Sequence, residues 1–290
     1  MAEIILKNDT IAIAVDSCGA ELTSIKSGGK EYLWNGDPAY WKRHAPVLFP
    51  LVGSLKDRQY RLDGKIYVMN QHGFARDMEF SVLEESENEC WFRLTENMAT
   101  MTVFPYAFIL DIGYRIAERT VETIWRVKNP ANTPLHFSVG GHPAFVCPQT
   151  PGEEQSAYRL RFDTEKPLVS SVIGAGGLVQ SEKKIYETEE GFLDIDAHLF
   201  DGDALVIENH QAHRVSLVNP AGTEYVTVSF DAPLFGIWSC PGKNAPFVCI
   251  EPWYGRCDAQ DFTGTWEERT WGNTLQPGET FEGGFRVEVR

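Results

Sequence analysis

The sequence predicts an all-β protein, a large antiparallel β-sandwich or barrel with a few short helices. Three observations predict it. Short apolar or alternating runs bounded by turn residues recur roughly every 8–12 residues along the chain. No stretch sustains the 3.6-residue period of an amphipathic helix. Strands do not alternate with helices, as a parallel α/β sheet requires. The 290 residues fit one large β domain, so residues 1–290 are expected to form a single domain.

The elements follow in order. Thr10 to Val15 alternates with Ile11, Ile13 and Val15 on one face, and Ala20 to Lys26 continues the pattern. Ser27-Gly28-Gly29-Lys30 reads as a tight turn, with Glu31 to Trp34 returning from it. In Trp41 to Pro50, two prolines bracket an apolar run, which suggests a buried extended segment entered and left by loops. Gln59–Leu62 and Ile66–Met69 flank Asp63-Gly64-Lys65, a strong hairpin signal. Met78 to Glu84 pairs with Cys90 to Thr95 across an acidic turn, and Glu96 to Phe104 is a short helix ended before Pro105. Phe108–Ile116 and Thr120–Lys128 form another hairpin, and Leu135 to Val139 is the next strand. From Cys147 to Glu190 the composition is Pro-, Gly-, Ser- and Glu-rich, and long surface excursions with one strand, Tyr158–Phe162, are expected. Ala204–Glu208, Arg214–Val218, Tyr225–Phe230, Phe235–Trp238, Phe247–Ile250 and Phe281–Val289 complete the strands. Thr265–Arg269 reads as a short helix and Thr274–Thr280 as a loop.

Bulk properties remove several functional classes. A net charge of −15 repels phosphate backbones and anionic lipid, so no nucleic-acid or membrane partner is expected. No apolar run approaches the length of a membrane helix, and the N-terminus lacks a secretory leader pattern, so a cytoplasmic location is expected. The six cysteines form no CxxC pair or zinc spacing and are expected to be free thiols. No phosphate-cradling glycine motif occurs.

Three short stretches place a titratable residue among turn formers and aromatic residues: Gln71-His72-Gly73-Phe74-Ala75-Arg76, Gly140-Gly141-His142-Pro143-Ala144-Phe145, and Cys249-Ile250-Glu251-Pro252-Trp253. His142 follows a strand, beside glycines that would let a ligand approach the backbone. Glu251 ends an apolar strand next to tryptophan, where desolvation raises a carboxyl pKa toward the range of a general base; the plain alternative is a satisfied core carboxylate. His72 and Arg76 can address one ligand from a loop while Phe74 packs beneath. Arg43, between Trp41 and Pro46, offers forked donors to hydroxyls or a phosphate, or is simply structural. Asp203, before the strand at Ala204, is the weakest candidate. His136, His198, His210 and His213 read as structural or exposed. His72, His142 and Glu251 could supply metal-type ligands, but no local spacing supports a metal site.

Arg43-His44-Ala45-Pro46-Val47-Leu48-Phe49-Pro50, Gln71 to Arg76, Gly141-His142-Pro143 and Ile250-Glu251-Pro252-Trp253 together resemble the aldose 1-epimerase (galactose mutarotase-like) superfamily, and within it the LacX-type branch. The resemblance implies a β-sandwich with a sugar cleft, and no metal or organic cofactor. It implies Glu251 as base and His142 as acid. His72 and either Arg43 or Arg76 would hold the sugar, and Asp203 would bind hydroxyls. The implied partner is a small-molecule sugar or sugar phosphate, and the implied assembly a monomer or homodimer. The Ala75-Arg76 ending resembles hexose-6-phosphate 1-epimerases, in which arginines bind the phosphate. Two rival readings remain: a non-catalytic carbohydrate-binding or sensing protein on the same fold, and a glycoside hydrolase or lyase. A hydrolase usually needs two site carboxylates, and only Glu251 is convincing in the sequence.

Overall fold

The computed structural model describes residues 2–290. It is a large antiparallel β-sandwich. One sheet has nine strands, in the order Phe192–Asp194, Arg159–Phe162, Arg214–Val218, Glu224–Phe230, Thr280–Val289, Thr120–Lys128, Ile109–Ala117, Glu89–Thr95 and Ser81–Glu85. The other has eight. Its path runs Leu178–Tyr186, Leu168–Gly174, Leu205–Ile207, Leu234–Trp238, Phe247–Tyr254, Val139–Gly141 and Val47–Leu48, and Ala144–Val146 also pairs with Phe247–Tyr254. A four-stranded sheet of N-terminal strands packs its inward side chains (Ile4, Leu6, Ile13, Val15, Leu22 and Ile25) into the same core.

The period-2 alternation of side chains explains the layering. On Thr120–Lys128, Val121, Trp125 and Val127 turn inward and are buried. Glu122 and Arg126 turn outward, where Glu122 meets Arg115 at 3.0 Å and Arg286 at 2.9 Å across neighbouring strands. The two sheets meet through aromatic contacts: Trp125 lies edge-on to Tyr254, and Phe230 packs on Phe235 with centroids 5.2 Å apart.

Phe247–Tyr254 is a central strand, buried along nearly its whole length. Its Val248 and Ile250 point into the main core. Phe247, Cys249, Glu251 and Trp253 point to the opposite face, where small apolar clusters form around Cys249 on one side and Trp253 on the other. A carboxylate is therefore set between two dry clusters on the face turned away from the nine-stranded sheet.

Several expectations need correction. The 147–190 region is not mainly surface excursion: Leu168–Gly174 and Leu178–Tyr186 form an antiparallel pair at the edge of the eight-stranded sheet. Much of Leu178–Tyr186 is exposed, so its Ser, Glu and Lys residues hide the strand pattern. Thr274 and Leu275, expected to open a loop, belong to a strand, Asn273–Leu275, that pairs with Leu135–Phe137. The return strand at Glu31 is only two residues long, Lys30–Glu31. The two helices shrink to Met98–Val103 and a single 3-10 turn, Trp266–Glu268. All six cysteines are free. Among the described residues, no helix is long and apolar enough to cross a membrane.

Candidate functional site

A cavity of about 520 Å³ opens on that outer face, and His142, Glu251, His72, Arg76, Arg43 and Asp203 all line it. Three structural devices bring them together. Glu251 is delivered by the central strand, in register opposite Gly236. His142 follows Val139–Gly141, the next strand in the sheet. The other polar groups come from loops that cross the sheet's outer face.

His142 Nε2 lies 3.3 Å from Glu251 Oε2, and the two residues are only 7% and 1% exposed. Burial opposes charge on both. It pushes the His142 pKa down to about 3, with Arg76 and Arg43 adding to the effect. It raises the Glu251 carboxyl well above its usual range, and the nearby Asp203 charge raises it further. The two directions agree: across the range between them, the pair holds one proton and no net charge. Glu251 Oε2 and His142 Nδ1 are buried without a hydrogen-bond partner among the described residues.

His72 is fixed more tightly. Its backbone N–H donates to Gly53 O at 2.8 Å, and its Nδ1 accepts from the Gly53 N–H at 3.1 Å. An acceptor Nδ1 leaves the proton on Nε2, so His72 is a neutral donor. Burial first, then the neighbouring His142, Arg76 and Arg43, lower its pKa in agreement. The loop geometry is demanding. His72 has φ +66 and Gly73 φ +72, and a Cβ on Gly73 would sit 2.2 Å from Phe49 O.

Arg43 and Arg76 form a cationic rim with Lys42. Arg43 pairs with Asp77 at 2.8 Å. Arg76 donates to Gln71 O at 2.7 Å, while its buried Nε has no partner. Burial, and then Arg43 beside it, lower the Arg76 pKa to about 10. Two guanidiniums are thus held close together with one carboxylate, Asp77, bonded to Arg43 alone. Asp203 sits at φ +77, exposed, and lines the same cavity.

One expectation about the glycines is overturned. Gly140 and Gly141 do not open the backbone to a ligand. A Cβ on Gly140 would lie 2.8 Å from the Trp253 ring, and one on Gly141 2.9 Å from Phe285. They are small because aromatic rings pack on them, and Gly236 likewise makes room for Trp253.

The cavity also has walls that motif reading did not single out. Trp41 stacks on the His142 ring with centroids 4.7 Å apart, and Trp238 meets that ring edge-on at 5.4 Å. Trp238 had one available signal, since it ends the strand paired with the one that carries Glu251. Cys249 brings a third ligand-type atom, so that donors of His142, Cys249 and Glu251 lie within 4.8 Å of one another. Burial raises the Cys249 pKa well above its usual value.

A two-sheet sandwich with a polar, aromatic-walled cleft on one outer face is the galactose mutarotase-like class. The solved structures of a galactose mutarotase related enzyme from Lactobacillus acidophilus and a galactose mutarotase-like protein from Lactobacillus casei are similar throughout. The first has a TM-score of 0.95 at 32% identity, covering 100% of this chain and 97% of that one. The second has a TM-score of 0.93 at 29% identity, covering 100% of both. The chromosomal protein LacX of Lactococcus lactis subsp. lactis is 33% identical over 261 residues, 86% of this chain and 87% of that one. The chain belongs to the aldose 1-epimerase family, whose model matches residues 3–288.

Proposed function

We propose that this protein is an aldose 1-epimerase that interconverts the α and β anomers of a hexose or hexose phosphate by acid–base ring opening and reclosure. The observation that carries the reading is the buried His142–Glu251 pair at 3.3 Å, facing a sugar-sized cavity. Anomerisation needs one group that accepts the anomeric hydroxyl proton and one that donates to the ring oxygen. A pair holding a single proton meets both needs. Moving that proton from Glu251 to His142 gives a carboxylate beside an imidazolium. Glu251 then takes the proton from the C1 hydroxyl as His142 protonates the ring oxygen. The C1–O5 bond breaks, and the aldehyde forms. Rotation about C1–C2 presents the other carbonyl face. In reclosure His142 recovers its proton from the O5 hydroxyl while Glu251 returns one to the carbonyl oxygen. No covalent intermediate is required. His72 donates to a sugar hydroxyl through Nε2, and Asp203 accepts hydroxyl protons in the same cavity.

Polarimetry on fresh α-sugar tests this. Glu251→Gln and His142→Asn should each cut catalysed anomerisation by at least about 100-fold. Near-wild-type rates in both variants sink the assignment.

One observation favours a phosphorylated sugar over a free one. Arg43 and Arg76 crowd two positive charges at the rim, and burial and Arg43 together depress the Arg76 pKa. An anionic substituent relieves both costs. A non-catalytic sugar-binding protein is the weaker reading, because binding alone needs no buried proton-sharing pair. Anomer exchange by NMR on free aldoses and their 6-phosphates separates these possibilities: a sugar-binding protein leaves every sugar at its uncatalysed rate.

A further inference from the structure

We propose that Trp41 is the positioning residue for His142: its indole face fixes the plane of an imidazole whose Nδ1 no other described residue holds. This extends the acid–base reading above and rests on it.

A working histidine is usually oriented by the bond its second ring nitrogen makes. In His142 that nitrogen, Nδ1, is buried and has no partner on any other described residue. The ring is instead boxed by other rings. Trp41 covers one face with centroids 4.7 Å apart and planes 29° apart. Trp238 and His72 meet it edge-on, each at 83°. Turning the imidazole out of plane forfeits the stack and collides with these edges.

Trp41 is itself well anchored although it lies on a loop. Its N–H donates to Asp37 O at 3.0 Å, and its carbonyl accepts the Trp34 indole N–H at 2.8 Å. Its ring packs against Trp238 and Phe247 at centroid distances of 5.8 and 5.9 Å. The same loop reaches the cavity with Lys42 and Arg43, so orientation of the acid and the cationic rim are set by one segment. An indole face also favours a cation over a neutral ring against it. Trp41 therefore supports the transient imidazolium that proton transfer from Glu251 creates, in a pocket where Arg43 and Arg76 oppose it. Its role is to aim Nε2, with no contact to the reacting atoms required.

The test compares Trp41→Phe and Trp41→Leu in the full-length protein, with thermal melts as a control for folding. Anomer exchange is measured on whichever sugar the wild type turns over. The ring ¹⁵N resonances of His142, which report its protonation and tautomer, are recorded in parallel. Phenylalanine keeps an aromatic face and should hold kcat within about 3-fold, whereas leucine should lower kcat by about 10- to 100-fold. KM should change little in either, and the His142 ¹⁵N shifts should move in the leucine variant only. Unchanged kcat in Trp41→Leu overturns the proposal. So does a rise in KM alone, which would make Trp41 a sugar platform, or an equal loss in both variants. A wild type that catalyses no exchange defeats the acid–base reading instead. The ring signals then decide alone, and identical His142 ¹⁵N shifts in wild type and Trp41→Leu overturn the positioning role.

Discussion

His142 Nε2 stands 3.3 Å from Glu251 Oε2, the histidine just past the strand Val139–Gly141 and the glutamate on the strand beside it, with both side chains almost sealed from solvent. Val139 and Gly140 pair with Tyr254 and Trp253 on the glutamate's strand, and the His142 N–H donates to Pro46 O at 3.1 Å. The apolar clusters around Cys249 and Trp253 keep the carboxyl dry. From this relationship come distinct expectations for stability and for rate.

Glu251 should be a stability cost at neutral pH. Its folded pKa is raised above the ordinary value of 4.5, so the fold binds the proton more tightly than the unfolded chain does. That contribution is fully present below the unfolded pKa and is lost as pH rises through the folded one. Glu251→Gln mimics the protonated acid and removes the dependence. Thermal melts at pH 5 and pH 8 should show the variant gaining on wild type as pH rises. A stability difference between the two proteins that is the same at both values contradicts this.

The pH–rate profile should lack a rising limb in the usual histidine range. The acid limb comes when the neutral pair gains a second proton on His142, whose pKa is about 3. The alkaline limb comes when the pair loses its only proton, above the usual carboxylate range. Burial dominates both directions, with Arg43, Arg76 and Asp203 as the charged groups that face the pair. The kcat/KM of anomer exchange should therefore show no rise with pH through the usual histidine range, its alkaline limb being a fall as Glu251 ionises. A rising limb half-maximal near 6.5 refutes the single-proton pair.

The tether between His72 and Gly53 is testable separately. His72→Ala leaves the Gly53 N–H without its acceptor and should cost about 1–3 kcal/mol in denaturant unfolding. It should also raise KM more than it lowers kcat. Gly73→Ala is harsher, because φ is +72 and the new Cβ meets Phe49 O at 2.2 Å. It should lose more stability than His72→Ala. Equal melting temperatures for Gly73→Ala and wild type would show that the loop does not depend on this backbone geometry.

Much of this site was legible because its polar groups sit where strands end in turns. His142 and Glu251 carry recognisable neighbours: glycine and proline at one, proline and tryptophan at the other. The two rim arginines stand in equally compact motifs. The rest had no such signal. Trp41 is chemically silent in a sequence, Trp238 is marked only by ending a strand, and only the fold brings the two onto the imidazole. Gly140 and Gly141 look like a ligand's approach path because local reading cannot see Trp253 and Phe285 packed on them. The edge pair Leu168–Gly174 and Leu178–Tyr186 escaped for a related reason. An edge strand with much of its length in water keeps little of the apolar alternation that marks a strand, yet its turn contributes Gly177 to the cavity wall.

The rim arginines lead to a substrate prediction. If Arg43 and Arg76 clamp an anionic substituent, Arg76→Ala should weaken catalysis of a 6-phosphate by about 10- to 100-fold, the worth of one or two charge-assisted bonds. The effect on a free aldose should be several-fold smaller. Equal losses on both substrates would assign Arg76 to the loop or the sugar ring instead.

The most direct test of the central claim is anomer exchange measured by two-dimensional NMR on sugar at chemical equilibrium, with wild type, Glu251→Gln and His142→Asn side by side. Wild type should exchange at least one hexose or hexose phosphate far faster than buffer, and each variant should fall by at least about 100-fold while remaining folded. Exchange at the uncatalysed rate in wild type, or full exchange in either variant, contradicts the claim.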